Sequence, residues 1–334
     1  QPVMAIRRKK DSSMVRALTM VKEKKADAFV SAGSSGAILV GGQVIVGRIR
    51  GVERPPMAPL IPTAKGVSIL VDSGANVDSR PSFLVQWAKM GSIYMENIMG
   101  IKNPKVAIVN VGLEEEKGNQ LVKETYPLLK ACKDINFIGS IEARNIPNGD
   151  ADVIVCDAFV GNVILKLYEG TAKMLLSKVK TTLMSSLKTK IGALLIKNSL
   201  SDTMKSFDAK QYGGAPLIGL NGLVVKTHGN AKAMEVKNSL LQCVKFQREK
   251  VNEKIIASIC RIIGNYIADH NGNCEVYPSP FAVNLDADDK DWVEPDISVI
   301  CDPNKLTDRG CCGAPDLIFE VVSPSSRKLD YGIK

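Results

Sequence analysis

Aromatic residues make up only 5% of this chain, too few for base-stacking platforms to be its main activity. Its eight cysteines, Cys132, Cys156, Cys243, Cys260, Cys274, Cys301, Cys311 and Cys312, form no C-x-x-C pair and have no histidine at zinc spacing. With no signal peptide at the start, they are expected to be reduced thiols in a cytoplasm. No apolar run reaches the length of a membrane span.

What is present is a globular composition. A hydrophobic content of 45% over 334 residues can bury a substantial core, and that length favours two domains over one. The formal charge of +9 favours acidic partners, which include nucleic acid, an anionic membrane, an acidic carrier protein and phosphate. Composition does not choose among them.

The most suggestive stretch runs from Gln211 to Asn230, where several glycines, Gly213 and Gly214 among them, and Pro216 surround one apolar strand at 223–225. Glycines at this density let a backbone approach a ligand closely. Lys226 and His228 alternate with Thr227, so on an extended backbone both point to one side. A cation and an imidazole facing one spot suit an anionic substrate and a proton transfer. A tight turn, a core strand and a solvated tail are spelled in the same way.

Upstream, Val15, Leu18 and Val21 have helical spacing, and a strand at 28–30 ends in Ser31-Ala-Gly33-Ser34-Ser35-Gly36 before a buried helix. Strand, Gly/Ser loop and helix together aim backbone N–H groups at an anion. The loop is neither G-x-G-x-x-G nor a phosphate loop closed by Gly-Lys-Ser/Thr, and a plain βα turn remains the alternative. The pattern recurs at strands 67–71 before Asp72-Ser-Gly-Ala-Asn76, 106–109 before Asn110, 135–138 before Gly139, and 153–155 before Asp157. A helix carrying Asn162 and Lys166 opens at Phe159.

This alternation predicts an α/β fold, a three-layer Rossmann-like parallel sheet with helices on both faces. Ligands in such sheets sit beyond the carboxyl ends of the strands. Those ends carry Ser34, Ser35, Asp72, Asn76, Asn110 and Asn162, which suit an oxyanion or a carbonyl better than a metal. Asp72 reads equally well as a cap of the following helix. Glu114, Glu115 and Glu116 read as a solvated acidic face in the first turn of a helix, ahead of a general base.

From Tyr168 to Leu200, Leu176, Val179, Leu183, Leu187, Ile191 and Leu194 keep a helical stripe among lysines, interrupted at Gly192 and Asn198. Such a region can pack, in a dimer or on its own core, which is the reading favoured on sequence, or it can lie on an anionic membrane. A last helix is expected from Ala231 to about Asn252.

The blocks 5–14, 26–37, 72–76, 110–119 and 155–166, with Tyr212-Gly-Gly-Ala-Pro216 through Lys226-Thr-His-Gly229, resemble the bacterial phosphate acyltransferase family of phospholipid synthesis, the PlsX type. The resemblance covers residues 1 to about 255. It implies transfer of an acyl chain from acyl carrier protein to inorganic phosphate, giving acyl phosphate without a cofactor, by a cytoplasmic homodimer peripheral at the membrane. On that basis the catalytic candidates are His228, Lys226 and Asn162. The substrate or phosphate site would comprise Gly33, Ser34, Ser35, Gly36, Asp72, Asn76, Asn110, Lys166, Gly213 and Gly214. Family members begin with a further strand and an Ala-Met-Gly-Gly-Asp segment that this sequence does not contain. The chain therefore reads as cut at its N-terminus, with activity expected to be impaired.

After about Ile255 the character changes. Two apolar strands carry Asp296 and Glu320, acids that could pair at a hard-metal site, although two strands with incidental acids are spelled alike. The blocks at 293–301 and 314–324 resemble the Uma-type restriction-endonuclease-like family of the PD-(D/E)xK superfamily, which implies a partial α+β domain over 256–334. Asp296 and Glu320 would be metal ligands there, with Mg as the cofactor and Lys334 or Lys328 as the displaced lysine. This leaves two competing functions, a metal-dependent nuclease and a non-catalytic membrane-associated oligomer. The acids Asp286, Asp288, Asp289 and Asp291 argue against DNA docking on the tail, and nucleic acid is not an expected partner. The two parts read as a fusion.

Overall fold

The structure, a computed structural model, describes residues 2–197, 209–286, 292–295 and 297–319. Its centre is a five-stranded sheet of β2 (Leu60–Thr63), β3 (Gly66–Val71), β4 (Lys105–Asn110), β5 (Asn136–Glu142) and β6 (Val153–Val155). The spatial order is β2-β3-β6-β4-β5, and all pairings are parallel except the β2–β3 hairpin at the edge.

Side chains alternate across this sheet, and both of its faces are buried. Ile69, Val71, Val106, Ile108, Val153 and Val155 face one layer, built by α4 (Pro81–Tyr94) and α5 (Gln120–Ala131). Leu70, Ala107 and Ile154 face the other, where Val160, Ile164 and Leu165 of α6 (Ala158–Leu183) pack. The predicted three-layer α/β architecture is therefore present.

A second sheet is split from the first. Here β1 (Ala28–Ser31) pairs in parallel with β8 (Leu223–Lys226), and β7 (Ala215–Pro216) adds antiparallel to β8. Helices α1 (Pro2–Arg8), α2 (Ser13–Lys22) and α3 (Ser35–Gly41) belong to this part, and Leu18, Val21 and Ile38 pack on Val224. The segment before β2 joins the two sheets: Ile49 N–H donates to Gly219 O at 2.9 Å and Ala58 N–H to Pro216 O at 3.0 Å.

Several expectations are corrected. Glu114–Lys117 is an exposed turn ahead of α5 rather than its first turn, because Asn119 caps that helix by accepting from Val122 N–H. The lysine-rich region breaks at 184–186, where Ser186 caps α7 (Leu187–Leu195) through a capping box; Gly192 lies inside α7 and Asn198 outside the described residues. Of the stripe, Val179, Leu187, Ile191 and Leu194 are exposed, so of the two packing options the one on its own core is not realised. The thiols of Cys274 and Cys301 are joined in a disulfide, because the antiparallel register of β9 (Glu275–Pro278) and β12 (Ile297–Ile300) brings those residues opposite each other.

The expected last helix is two, α8 (Ala233–Arg248) and α9 (Val251–Asp269), so the change of character near Ile255 falls inside a continuous helix. Val251 and Ile255 are buried in the main core, with Ile256 and Ile259 packed beside them. Arg261 reaches Asp134 at 3.5 Å, which also pairs with Lys89 at 3.1 Å. A chain ended after Ile255 is expected to lose about 2–4 kcal/mol, the burial of the two lost isoleucines. An unchanged urea midpoint would show that the core closes without the rest of α9.

Beyond α9 lie short strands in two small sheets: β15 (Leu317–Phe319), β12 and β9 in that order, and β11 (Trp292–Val293), β10 (Val283–Asn284), β14 (Gly310–Cys312) and β13 (Leu306–Thr307) in that order. Their core is Val283, Ile300 and Cys311. Asp296, Glu320, Lys328 and Lys334, with Asp288, Asp289 and Asp291, lie outside the described residues. Among the described residues no group of three or more His, Cys, Asp or Glu is placed to hold a metal.

Candidate active site

Parallel pairing of β1 with β8 sets Ser31 opposite Lys226, and Thr227 N–H continues the ladder by donating to Ser31 O at 2.9 Å. Two motifs nearly 200 residues apart thus end side by side. Beyond Ser31, Gly33 N–H donates to Ser31 Oγ at 3.1 Å, and Ser34 takes the N-cap position of α3 without using its hydroxyl as a cap. Ser34 and Ser35 are exposed, and Gly36 lies in the first turn of α3.

Lys226 is half-buried, with its Nζ donating to Thr227 O. Burial pushes the ammonium below the usual lysine range, Glu235 pulls it back up, and Lys166 pushes it down again. Asn162 lies one turn earlier on α6, exposed and with no side-chain partner among the described residues. Lys166 itself pairs with Glu169 at 3.0 Å. His228 is exposed, and its Nδ1 meets Asn230 Oδ1 and the Asn230 N–H, leaving Nε2 uncommitted among the described residues.

The remaining candidates frame the site. Asp72 is fully buried and accepts from the backbone N–H groups of Met57, Gly74, Ala75 and Asn76 and from Asn76 Nδ2. Burial raises its carboxyl above the usual range against the pull of these donors. Asn76 spends both amide protons, on Pro55 O and Asp72 Oδ2, and so has none for a substrate carbonyl. Asn110 likewise donates to Lys117 O and Ser140 Oγ and accepts from Val111 N–H. Asp72, Asn76 and Asn110 lie at strand ends, and their polar atoms are satisfied by hydrogen bonds that close the surrounding loops.

Gly213 and Gly214 also have an internal reason. A Cβ on Gly214 would lie 2.6 Å from Lys226 O, and Gly213 has φ +92°, so both let β7 approach β8 and hold the Lys226 backbone. Asp157 accepts from the N–H groups of Phe159 and Val160 and opens α6, while Ala158 N–H donates to Asn76 O at 3.1 Å. Through α6 the Asp72 loop is tied to Asn162 and Lys166.

Glu235 was missed. It is 5% exposed; its Oε1 accepts His228 N–H at 3.0 Å, and its Oε2 is buried without a partner among the described residues. An acid in the first turn of a helix is usually a solvated complement to the dipole. The available signal was its spacing from Ser239, Gln242, Cys243 and Phe246, the buried face of α8.

A family model described as "Fatty acid synthesis protein" matches residues 1–254, and the Uma2 model, described as "Putative restriction endonuclease", matches residues 233–334. The phosphate acyltransferase of Alkaliphilus oremlandii is 55% identical over 257 residues, covering 76% of this chain and 76% of that protein. A Clostridium perfringens phosphate acyltransferase is 50% identical over 260 residues, covering 78% and 77%. A solved branched-chain phosphotransacylase from Enterococcus faecalis aligns with 69% of this chain and 77% of its own, at 14% identity and a TM-score of 0.46.

Proposed function

Because the chain belongs to the phosphate acyltransferase family and is an acyltransferase, we propose that it moves an acyl group from acyl carrier protein to inorganic phosphate, supplying acyl phosphate for phospholipid synthesis. The observation that carries this reading is the pairing of Ser31 with Lys226, which sets the Ser34–Ser35 loop beside a half-buried cation. A phosphate oxygen attacks the thioester carbonyl carbon, the tetrahedral oxyanion collapses, and the C–S bond breaks to release the carrier's thiolate, which takes a proton.

In this assignment the Gly33–Gly36 loop and Lys226 hold phosphate, with Lys166 adding positive charge. Asn162 Nδ2 donates to the carbonyl oxygen, the role its neighbour Asn76 is too committed to fill. His228 Nε2 protonates the leaving thiolate or orients phosphate. No cofactor is needed for this balance. The exposed apolar residues of α6 and α7 among lysines suit a homodimer and contact with an anionic cytoplasmic membrane surface; no helix is long and apolar enough to cross one among the described residues.

The test is phosphate-dependent loss of acyl thioester from acyl carrier protein by the purified chain. Lys226→Met is expected to reduce kcat/KM for phosphate by roughly 100-fold, and His228→Ala to reduce kcat by a similar factor. Near-normal turnover in both variants would refute the assignment. Metal-dependent DNA cleavage by the same protein would instead favour the tail as the active part.

A further inference from the structure

Arg7, Arg8, Lys9 and Lys10 form a run of four cations, all exposed, at the join between α1 and α2. Arg7 and Arg8 close the last turn of α1, where positive charge complements the helix dipole. Lys9 and Lys10 lie beyond that turn and have no such role. The acid next in sequence, Asp11, is taken by Arg16 at 2.7 Å, and no ion pair among the described residues answers the run itself. Like charges this close repel one another, so the run is a surface that an anionic partner relieves.

Packing sets this run beside the loop assigned to phosphate. Helix α2 lies along α3: Leu18 Cδ1 stands 2.5 Å from where a Cβ on Gly41 would be, and Met14 Cε 3.0 Å from where one on Gly33 would be. The first turn of α2 therefore sits on the Gly33 loop. Lys10 precedes Met14 by four residues, so their Cα atoms are within about 14 Å of each other. Val3 and Met4 are exposed on the same short helix as the two arginines. Apolar residues beside arginine are the make-up of a protein interface.

We propose that the run from Arg7 to Lys10 is the docking surface for the acidic acyl carrier protein, holding it while its pantetheine arm delivers the thioester to the Gly33–Gly36 loop and Lys226. The inference rests on the acyl-transfer reading and adds to it where the donor sits. The four cations take no part in the chemistry. An anionic membrane or a nucleic acid would also meet four cations, but neither has to end at the Gly33 loop. An acyl donor does, and the run lies within a few residues of that loop.

Binding is read by fluorescence anisotropy of labelled acyl-acyl carrier protein without phosphate, so that no turnover intervenes. Lys9→Glu with Lys10→Glu should weaken it by roughly tenfold, and the corresponding pair of glutamines by less, with the difference shrinking as salt rises. Lys102→Glu with Lys133→Glu makes the same change of charge at exposed positions ahead of β4 and β5, at the amino ends of those strands, and should leave binding at the parent's level. In turnover, KM for acyl-acyl carrier protein should rise in the Lys9→Glu, Lys10→Glu protein, while kcat/KM for S-acyl pantetheine, which has no protein to dock, stays the same. Equal carrier binding by the parent and that folded variant overturns the proposal, as does no binding by the parent or a loss confined to anionic vesicles or DNA. If the carrier binds through the run yet neither thioester is lost in a phosphate-dependent way, acyl transfer is refuted and the docking surface stands.

Discussion

Replacing Asp72 by alanine is expected to cost at least about 4 kcal/mol and to remove the cooperative melt at 37 °C. The substitution strands the backbone N–H groups of Met57, Gly74, Ala75 and Asn76 in a buried loop, together with the Asn76 amide. Each such donor costs about 1–3 kcal/mol when left unmade, less where water can enter. Asp72→Asn should fall between, because one oxygen still accepts while the new NH2 group faces N–H donors.

The pH sign follows from burial. A carboxyl held above its unfolded value binds its proton more tightly when folded, so its contribution is full below the unfolded value and is lost as pH rises through the folded one. Asp72→Asn should therefore narrow its deficit as the pH of the urea titration rises from about 4 to 7. Variants that melt like the parent yet lose turnover would restore Asp72 to a substrate role.

Gly161→Ala is the second large effect. A Cβ there would stand 1.9 Å from the Asp72 carbonyl oxygen, a backbone atom that cannot rotate away, and 3.1 Å from Cys156 Sγ. To make room, α6 or the Asp72 loop must move by more than an ångström, at a cost of about 3 kcal/mol or more. Because Asn162 follows Gly161 and Lys166 lies one turn further on, the shift should also lower turnover beyond what the loss of stability explains. Thermal denaturation and kcat at a temperature where the variant is fully folded measure the two parts separately. A variant with the parent's melting temperature would mean that α6 is not seated against this loop.

The helix and strand pattern was legible because periodicity reports burial. Ile69 to Val71 and Val153 to Val155 are continuous apolar runs, as strands covered on both faces tend to be. Asp72 was visible at a strand end, but its role was not. Whether an acid there caps a loop or meets a ligand depends on Met57, fifteen residues away and brought in only by the fold. Glu235 was hidden for the opposite reason: its position looks like a surface dipole complement, and its burial comes from packing α8 on β1 and β8. The boundary near Ile255 was read from a change in sequence character, whereas α9 runs through it because Val251, Ile255 and Ile259 form one apolar face.

By itself the sequence determined the α/β class, the family, and the residue types offered at the strand ends, since these depend on local spacing and on motifs written in order. Tertiary structure alone decided that Ser31 and Lys226 are neighbours, that Asp72, Asn76 and Asn110 are spent on their own loops, and that Cys274 meets Cys301. It also decided that Glu235 is buried with one oxygen on the His228 backbone. Strand register and the burial of single polar atoms are set by contacts between segments far apart in the chain, and no local pattern encodes them.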